Sequence, residues 1–582
     1  MLESVRKDAK RWLKALRAGD PHALARFSSA HPHPPAMPTL RDVQFALARE
    51  RGFAGWNELK QDCEARPPRN VSQARLVDWF LENACPDHHV RGRSAHVRAQ
   101  ATAMRLLDRH PTIANDSFCT AVVCGNRAEV ARVLAARPQA ASALCASPDP
   151  ERQKPGGDDW LKDLGPKGWQ PLMYLCSTRL SLPAMAENAV AIATMLLDSG
   201  ADPNAFFMAG DSRYTPLVAA IGEGEEGRPP HPRRDELVRL LLEHGAEPYD
   251  IQVVYNVHFQ GDVLWFLELI HEHSVARGRQ ADWDDPDWRM LDMGGYGSGA
   301  RWHLDIAIRD NNIRLAEWCL THGADANAAP PASQALLQRS LSEEAAARGE
   351  TEILDLLRRH GARPPAGGLS LKEAFVAACL RRDAPAVRRH LAEHPELLTD
   401  PAALFEATRR NDVDTMTFLL DIGVSPNVEM SDHTTALHIA ARARALEAAQ
   451  MLVGRGADVD RVETTWGGTP LGAATYAGDR RLMDFLALYS RDLECLVFNG
   501  NVDRVRAVLE EDPARARMSE QGGTLLFILP RDDEARAIEI AEVLLALGAD
   551  PSITGLDGRT AADRAERLAM FELARVLRRR GR

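Results

Sequence analysis

The stretch Leu196-Leu197-Asp198-Ser199-Gly200-Ala201-Asp202-Pro203-Asn204 decides how this chain folds. Two leucines finish a helix against a core, and glycine takes the left-handed position that ends it without steric cost. Asp, Pro and Asn then open a turn. The phrase returns around Gly245, Gly323, Gly361, Gly423, Gly456 and Gly548, at spacings of 45, 78, 38, 62, 33 and 92 residues. If 62, 78 and 92 hold two, two and three units, each unit is roughly 30–45 residues, a period that belongs to stacked repeats. A strong helix stop at a fixed place, repeated, implies a repeated architecture.

Two further phrases complete the unit. Thr215-Pro216-Leu217-Val218-Ala219-Ala220, Thr435-Ala436-Leu437-His438-Ile439-Ala440 and Thr469-Pro470-Leu471-Gly472-Ala473-Ala474 open it, with weaker copies at Gln170-Pro171-Leu172 and Thr560-Ala561-Ala562. Proline in a first helical turn costs nothing, because its missing N–H would be unpaired there. Short turns such as Gly125-Asn126, Gly349-Glu350, Asn411-Asp412, Gly478-Asp479 and Gly500-Asn501 then lead into a second helix with an apolar i, i+3, i+4 stripe.

In this order the three phrases resemble the ankyrin repeat, whose opening helix carries T-P-L-H-x-A. The resemblance spans roughly residues 110–582. It implies an all-α solenoid of about twelve helix–turn–helix units with short β-hairpin or loop fingers. Only His438 keeps the family histidine; Met173, Val218, Asp305 or Gly472 stands there elsewhere. In the family that histidine ties neighbouring turns, so the resemblance implies other ties at these junctions. Units at 374–398 and 494–517 lack the Gly-Ala-Asp exit and end in His394-Pro395 and Asp512-Pro513.

Residues 1–66 do not repeat. A basic amphipathic helix over 2–16, a second over 21–27 with Asp20 as its N-cap, and a Pro/His linker over 31–38 are expected. The run Ala46 to Lys60, with Ala48-Arg49-Glu50-x-Gly52-Phe53, Trp56 and Leu59, resembles a helical segment found ahead of ankyrin arrays in many bacterial proteins. It reads as a cap over the first open repeat face or as a docking module. Residues 67–115 read as a helical linker or degenerate first repeat, and 116–582 as the array.

Composition narrows the function. A net charge of −11 argues against a general nucleic-acid binder. The basic end, Arg578 to Arg582, reads as an answer to a helix dipole. Arginine far outnumbers lysine, as in GC-rich bacterial coding. Nine scattered cysteines without a C-x-x-C pair fit a reducing compartment. No apolar run reaches membrane-spanning length and no signal peptide is visible, so a cytoplasmic protein is expected.

A regular array needs no long loops, yet three insertions interrupt this one, near 145–170, 222–234 and 277–303. The first carries Trp160 and Trp169. The third carries Trp283, Asp284, Asp285, Trp288, Tyr296, Arg301, Trp302 and His303. Tryptophan and arginine are what binding hot spots use, but such tryptophans also pack insertions onto a core. With the finger residues Arg213, Tyr214, Thr464, Thr465 and Trp466, they are the candidate contacts for a ligand or partner. Gly295-Tyr296-Gly297-Ser298-Gly299 matches neither a dinucleotide loop nor a nucleophile elbow. The pair Ser298 and His303 is a catalytic arrangement by composition only. The Asp282–Asp287 run breaks calcium-loop spacing at Pro286, and His271-Glu272-His273 puts its histidines on different helix faces. No metal, cofactor or catalytic residue is expected. The leading expectation is a protein partner held by the concave face and inserted loops. A small-molecule or enzyme pocket walled by the first and third insertions, or a scaffold joining two partners, are the alternatives.

Overall fold

The computed structural model describes every residue except 1, 19, 32–33, 36, 51–72, 87–91, 146–167, 210–211, 225–226, 332–338, 366, 518–523, 556–557 and 581–582. Trp160 and the Phe53, Trp56 and Leu59 face therefore lie outside the described residues. From Phe118 to Arg580 the chain is a succession of paired antiparallel helices, such as Ala436–Ala443 with Leu446–Gly454 and Pro470–Ala477 with Arg480–Ala487. First helices stack on first helices and second on second. The fold is an all-α solenoid. Among the described residues its extended pieces are the hairpin Phe207–Ala209 with Ser212–Tyr214 and isolated bridges Glu429 to Thr435 and Thr554 to Thr560.

The seven phrase glycines all adopt φ between 85° and 106°, as the helix stop requires. The asparagine that follows does more than turn the chain. Asn427 donates to the Gly456 carbonyl (3.0 Å) and accepts from the Asp458 N–H (2.7 Å). Asn204 treats Gly245 and Glu247 in the same way, and Asn327 treats Gly361 and Arg363. One side chain thus fixes the register of two successive turns. Asn427→Ala should lower stability by about 1 kcal/mol, read from a denaturant midpoint. Asn427→Asp should lose most of the same amount, because a carboxylate cannot donate to Gly456.

Two of the junctions that lack the histidine use a different tie. His438 accepts at Nδ1 from the Thr435 N–H (3.2 Å), and its Nε2 meets the Gly468 carbonyl (3.1 Å) in the next unit. Where Val218 and Gly472 replace it, the threonine hydroxyl takes over. Thr215 donates to Asp250 (2.9 Å) and Thr469 to Asp492 (2.6 Å). Those aspartates cap the next first helix, on Gln252 and Cys495 respectively.

Helices Leu2–Arg17, Pro21–Ala30 and Leu40–Glu50 form a separate small core around Trp12, Phe27 and Leu47. Asp20 caps the second of them on the Ala23 N–H (2.8 Å). Next comes a helical hairpin, Gln73–Ala84 with Arg93–Arg109. Its core joins that of the first units, through Phe80, Ala103 and Leu106. The second helix of this hairpin also reaches the far end of the array. Ser94 Oγ donates to Thr475 O (2.6 Å), and Arg105 to Leu568 O (3.1 Å) and Arg531 O (2.9 Å). The solenoid curls so tightly that Arg93–Arg109 bridges its two ends, and Ala569 belongs to the same apolar cluster as the first units.

The inside of this curve is the edge where first helices turn into second helices. Arg409 reaches Asp310 (2.9 Å), about a hundred residues earlier, and pairs with Glu406. Arg348 and Arg410 converge on the same Glu406, and Arg410 also meets Glu350. Among the described cysteines, Cys119 and Cys145 are brought sulfur to sulfur, although spacing alone set no two cysteines together. Pairing depends on the approach of two segments 26 residues apart, which no C-x-x-C reading detects. Cys85, Cys124, Cys176, Cys319 and Cys379 are free and buried.

Candidate partner-binding surface

Most tryptophans of the insertions are core residues. Trp288 is fully buried and Trp283 nearly so. They pack edge-to-face on each other (5.2 Å) and both meet Trp318. The third insertion is folded down onto its neighbours by Asp325 N–H to Pro286 O (2.8 Å) and Ala300 N–H to Asp287 O (3.2 Å). Arg301 is also buried. It pairs with Asp305 (2.6 Å) and donates to the carbonyls of Ala328 and Arg339. His303 is buried with Nδ1 on Gly299 O (2.7 Å), and burial pushes its pKa down to about 4. Ser298 Oγ accepts from the Arg301 N–H (3.3 Å) as a helix cap. No hydrogen bond joins Ser298 to His303; each is tied to its own helix turn. Trp283, Trp288, Arg301 and His303 are thus turned into the interior, where large rings gain by leaving water.

Trp169 is buried in a stack with Phe207 (4.7 Å) and then Tyr214 (5.2 Å), at the base of the hairpin. Its ring contacts and those of Trp283 and Trp288 are separate sets, and neither set lines the 630 Å³ depression between Ile313, Glu317, Glu352 and Arg359. Arg213 is exposed, with its guanidinium over Phe206 (4.1 Å). Asp284 is exposed, and Asp285 is half-buried and paired with Arg289. Trp302 is half-buried among Tyr255, His258 and the exposed Tyr296. Part of the second insertion is interior as well, at Glu223, Arg228 and His231. Arg228 and Glu223 form a buried ion pair (3.0 Å), and Arg179 donates to Pro229 O (2.7 Å).

Trp466 stands apart, with 84% of its surface exposed. Its turn is rigid. The buried Glu463 carboxylate accepts from the N–H groups of Thr465 (2.7 Å), Trp466 (3.1 Å) and Gly468 (3.4 Å). Burial raises the Glu463 pKa, but those three N–H bonds outweigh it and hold the carboxyl below its ordinary range. The turn is also bound to its neighbours on both sides. Thr464 N–H donates to Asp432 O (2.8 Å) and Thr465 Oγ1 to the Asp432 carboxylate (2.9 Å). Arg461 pairs with Glu429, and Ser490 donates to Asp460 (2.6 Å). Three linked turns thereby present Met430, Val462, Trp466, Leu488 and Tyr489, all between 47% and 84% exposed. Scattered exposed apolar residues are ordinary, whereas these five stand on consecutive turns that are hydrogen-bonded to one another. The finger motif exposed Trp466 to sequence reading; Met430, Leu488 and Tyr489 carried no local signal.

The architecture defines a helix–turn–helix repeat solenoid with a preformed, apolar finger edge. The family model for ankyrin repeats, three copies, matches residues 343–463 and 404–495. Residues 343–495 thus carry ankyrin repeats, which generally mediate protein–protein interaction. It is 39% identical over 77 residues to the potassium channel GORK of Arabidopsis thaliana, covering 13% of this chain and 9% of that one. The chain thus spans under a tenth of that relative's length. Among solved structures it is similar to the Bd0816 predatory endopeptidase of Bdellovibrio bacteriovorus in complex with immunity protein Bd3460, at 20% identity and a TM-score of 0.25, covering 30% of this chain and 96% of that one. It is likewise similar to an ankyrin repeat domain of Acinetobacter baumannii, at 21% identity and a TM-score of 0.24, covering 31% and 99%. Among the described residues no helix is long and apolar enough to cross a membrane, and no group of His, Cys, Asp or Glu could hold a metal.

Proposed function

We propose that this chain holds a protein partner on the finger edge of residues 425–492, with Trp466 as the central contact. The supporting observation is the combination of 84% exposure with a turn clamped by the buried Glu463. A tryptophan pre-positioned on a rigid turn gives up little entropy on binding, which is how hot-spot residues gain their weight. The inner edge of the curve is taken up by the ion cluster around Glu406 and by helix Arg93–Arg109. The finger edge is the surface left open, so we place the partner there rather than on the concave side.

Affinity capture from native lysate, comparing the intact chain with Trp466→Ala, tests this reading. The variant should lose the captured protein by tenfold or more, with a melting temperature within about 1 °C of the parent. Equal recovery would overturn the assignment. Deleting Asp282–Gly299 is a poorer probe, because it removes Trp283 and Trp288 from the core.

A further inference from the structure

Helix Arg93–Arg109 touches the end of the array with one face only. Ser94, Arg98, Arg105 and Arg109 follow each other at steps of four, seven and four residues, which places them along one side of a helix. Each meets a different part of the last units. Ser94 Oγ donates to Thr475 O (2.6 Å), and the Arg98 guanidinium lies 3.6 Å over the Phe498 ring. Arg105 donates to the carbonyls of Arg531 (2.9 Å) and Leu568 (3.1 Å). Arg109 lies 4.1 Å over the Phe571 ring. The spacing of the helix face matches the spacing of the stacked units.

The receiving edge has a repeating chemistry. It consists of the C-terminal ends of first helices and the turns that follow. Such ends carry unpaired carbonyls and the negative pole of the helix dipole, unit after unit. Phe498 and Phe571 add two ring faces. Guanidinium groups satisfy both kinds of site. The approach is close: a side chain at Gly478, where φ is +67°, would press on Arg93 at 2.5 Å. On its other side the same helix is held by apolar packing, through Ala103 and Leu106 against the first units. The bridge is therefore a shared core at one end of the array and mainly hydrogen bonds and guanidinium–ring contacts at the other, where Ala569 and Phe571 add a small apolar contact. Polar contacts exchange readily for those of a competing ligand, whereas a shared core does not.

We infer that the turn edge formed by Thr475, Phe498, Arg531, Leu568 and Phe571 is a receptor for an arginine-bearing helix, with Arg93–Arg109 as its resident ligand. A partner that presents a basic amphipathic helix takes this edge by displacing the resident one and opening the curl. This surface is distinct from the Trp466 edge, and Trp466→Ala leaves it intact.

The test uses the full chain in three forms: parent, Arg98→Ala with Arg105→Ala, and Gly478→Asn. Asparagine tolerates the left-handed backbone at 478 while crowding Arg93, so it opens the edge without altering the helix. The probe is a fluorescein-labelled peptide with the sequence of residues 94–110, which lacks the Arg93 that a side chain at 478 would crowd. At low salt it should bind both variants at least tenfold more tightly than the parent, by fluorescence anisotropy. The same peptide with Arg98, Arg105 and Arg109 all replaced by glutamine should bind at least tenfold more weakly. Small-angle scattering should show a larger radius of gyration for both variants. Equal peptide binding by all three forms, equal binding of the arginine-free peptide, or an unchanged radius in both variants would overturn the proposal.

Discussion

Replacing Glu406 by glutamine should lower the stability of this chain by about 3 kcal/mol at neutral pH. Glu406 lies where three units meet on the inside of the curl. It receives Arg348 (2.8 Å), Arg409 (2.7 Å) and Arg410 (2.7 Å). Arg348 also holds Glu344, and Arg409 continues to Asp310 and the Arg309 carbonyl. Burial by itself would raise the Glu406 pKa, but the guanidinium groups overcome it and carry the value from 4.5 down to about 2. Glutamine keeps the shape and removes the charge, so three partly buried cations lose their common anion. A group whose folded pKa is depressed stabilises above its ordinary pKa and loses that contribution as pH falls through the depressed value. The gap between parent and variant should therefore be full above pH 5 and shrink toward zero near pH 2. Glu350 runs the other way: burial outweighs Arg410 and raises its pKa, so it does not mimic this acid limb. Thermal unfolding followed by circular dichroism at pH 7, 4 and 2.5 measures the gap. A gap that stays constant with pH would show that Glu406 acts by packing alone.

Trp288→Ala should cost about 3–5 kcal/mol, the range for truncating a fully buried large aromatic. The ring has 0% exposure and touches Trp283, Trp318 and His303. Its backbone sits at φ 51°, a region that a bulky residue occupies only under strain. Packing of the ring offsets that strain. Trp288→Gly should consequently be less damaging than Trp288→Ala by up to about 1 kcal/mol, the reverse of the usual order. Trp288→Phe should cost least, since the indole N–H has no partner to lose. The exposed Tyr296, eight residues on in the same insertion, should tolerate alanine within about 1 kcal/mol. Denaturant midpoints of the four variants give the order. If Trp288→Ala behaved like Tyr296→Ala, the insertion would be a surface loop and its tryptophans would again be candidates for ligand contact.

The repeat was legible because its signals are local. A glycine at φ near 90° is required by its own turn, and Thr-Pro-Leu needs only the first turn of its own helix. These features depend on a few bonded neighbours, so the sequence by itself determined the helix stops, the unit period and hence the solenoid. The junction ties were half legible. The missing histidines were visible, but the Thr215 to Asp250 and Thr469 to Asp492 bonds join residues 35 and 23 apart. Composition could not decide the insertions, since a tryptophan that packs and one that binds are the same letter. Only the tertiary structure buried Trp169, Trp283 and Trp288 and left Trp466 in water. It alone also closed the curl, bringing Ser94 to Thr475 and Arg105 to Leu568. Closure is the sum of small rotations accumulated over many units, and no single unit carries that sum in its own residues.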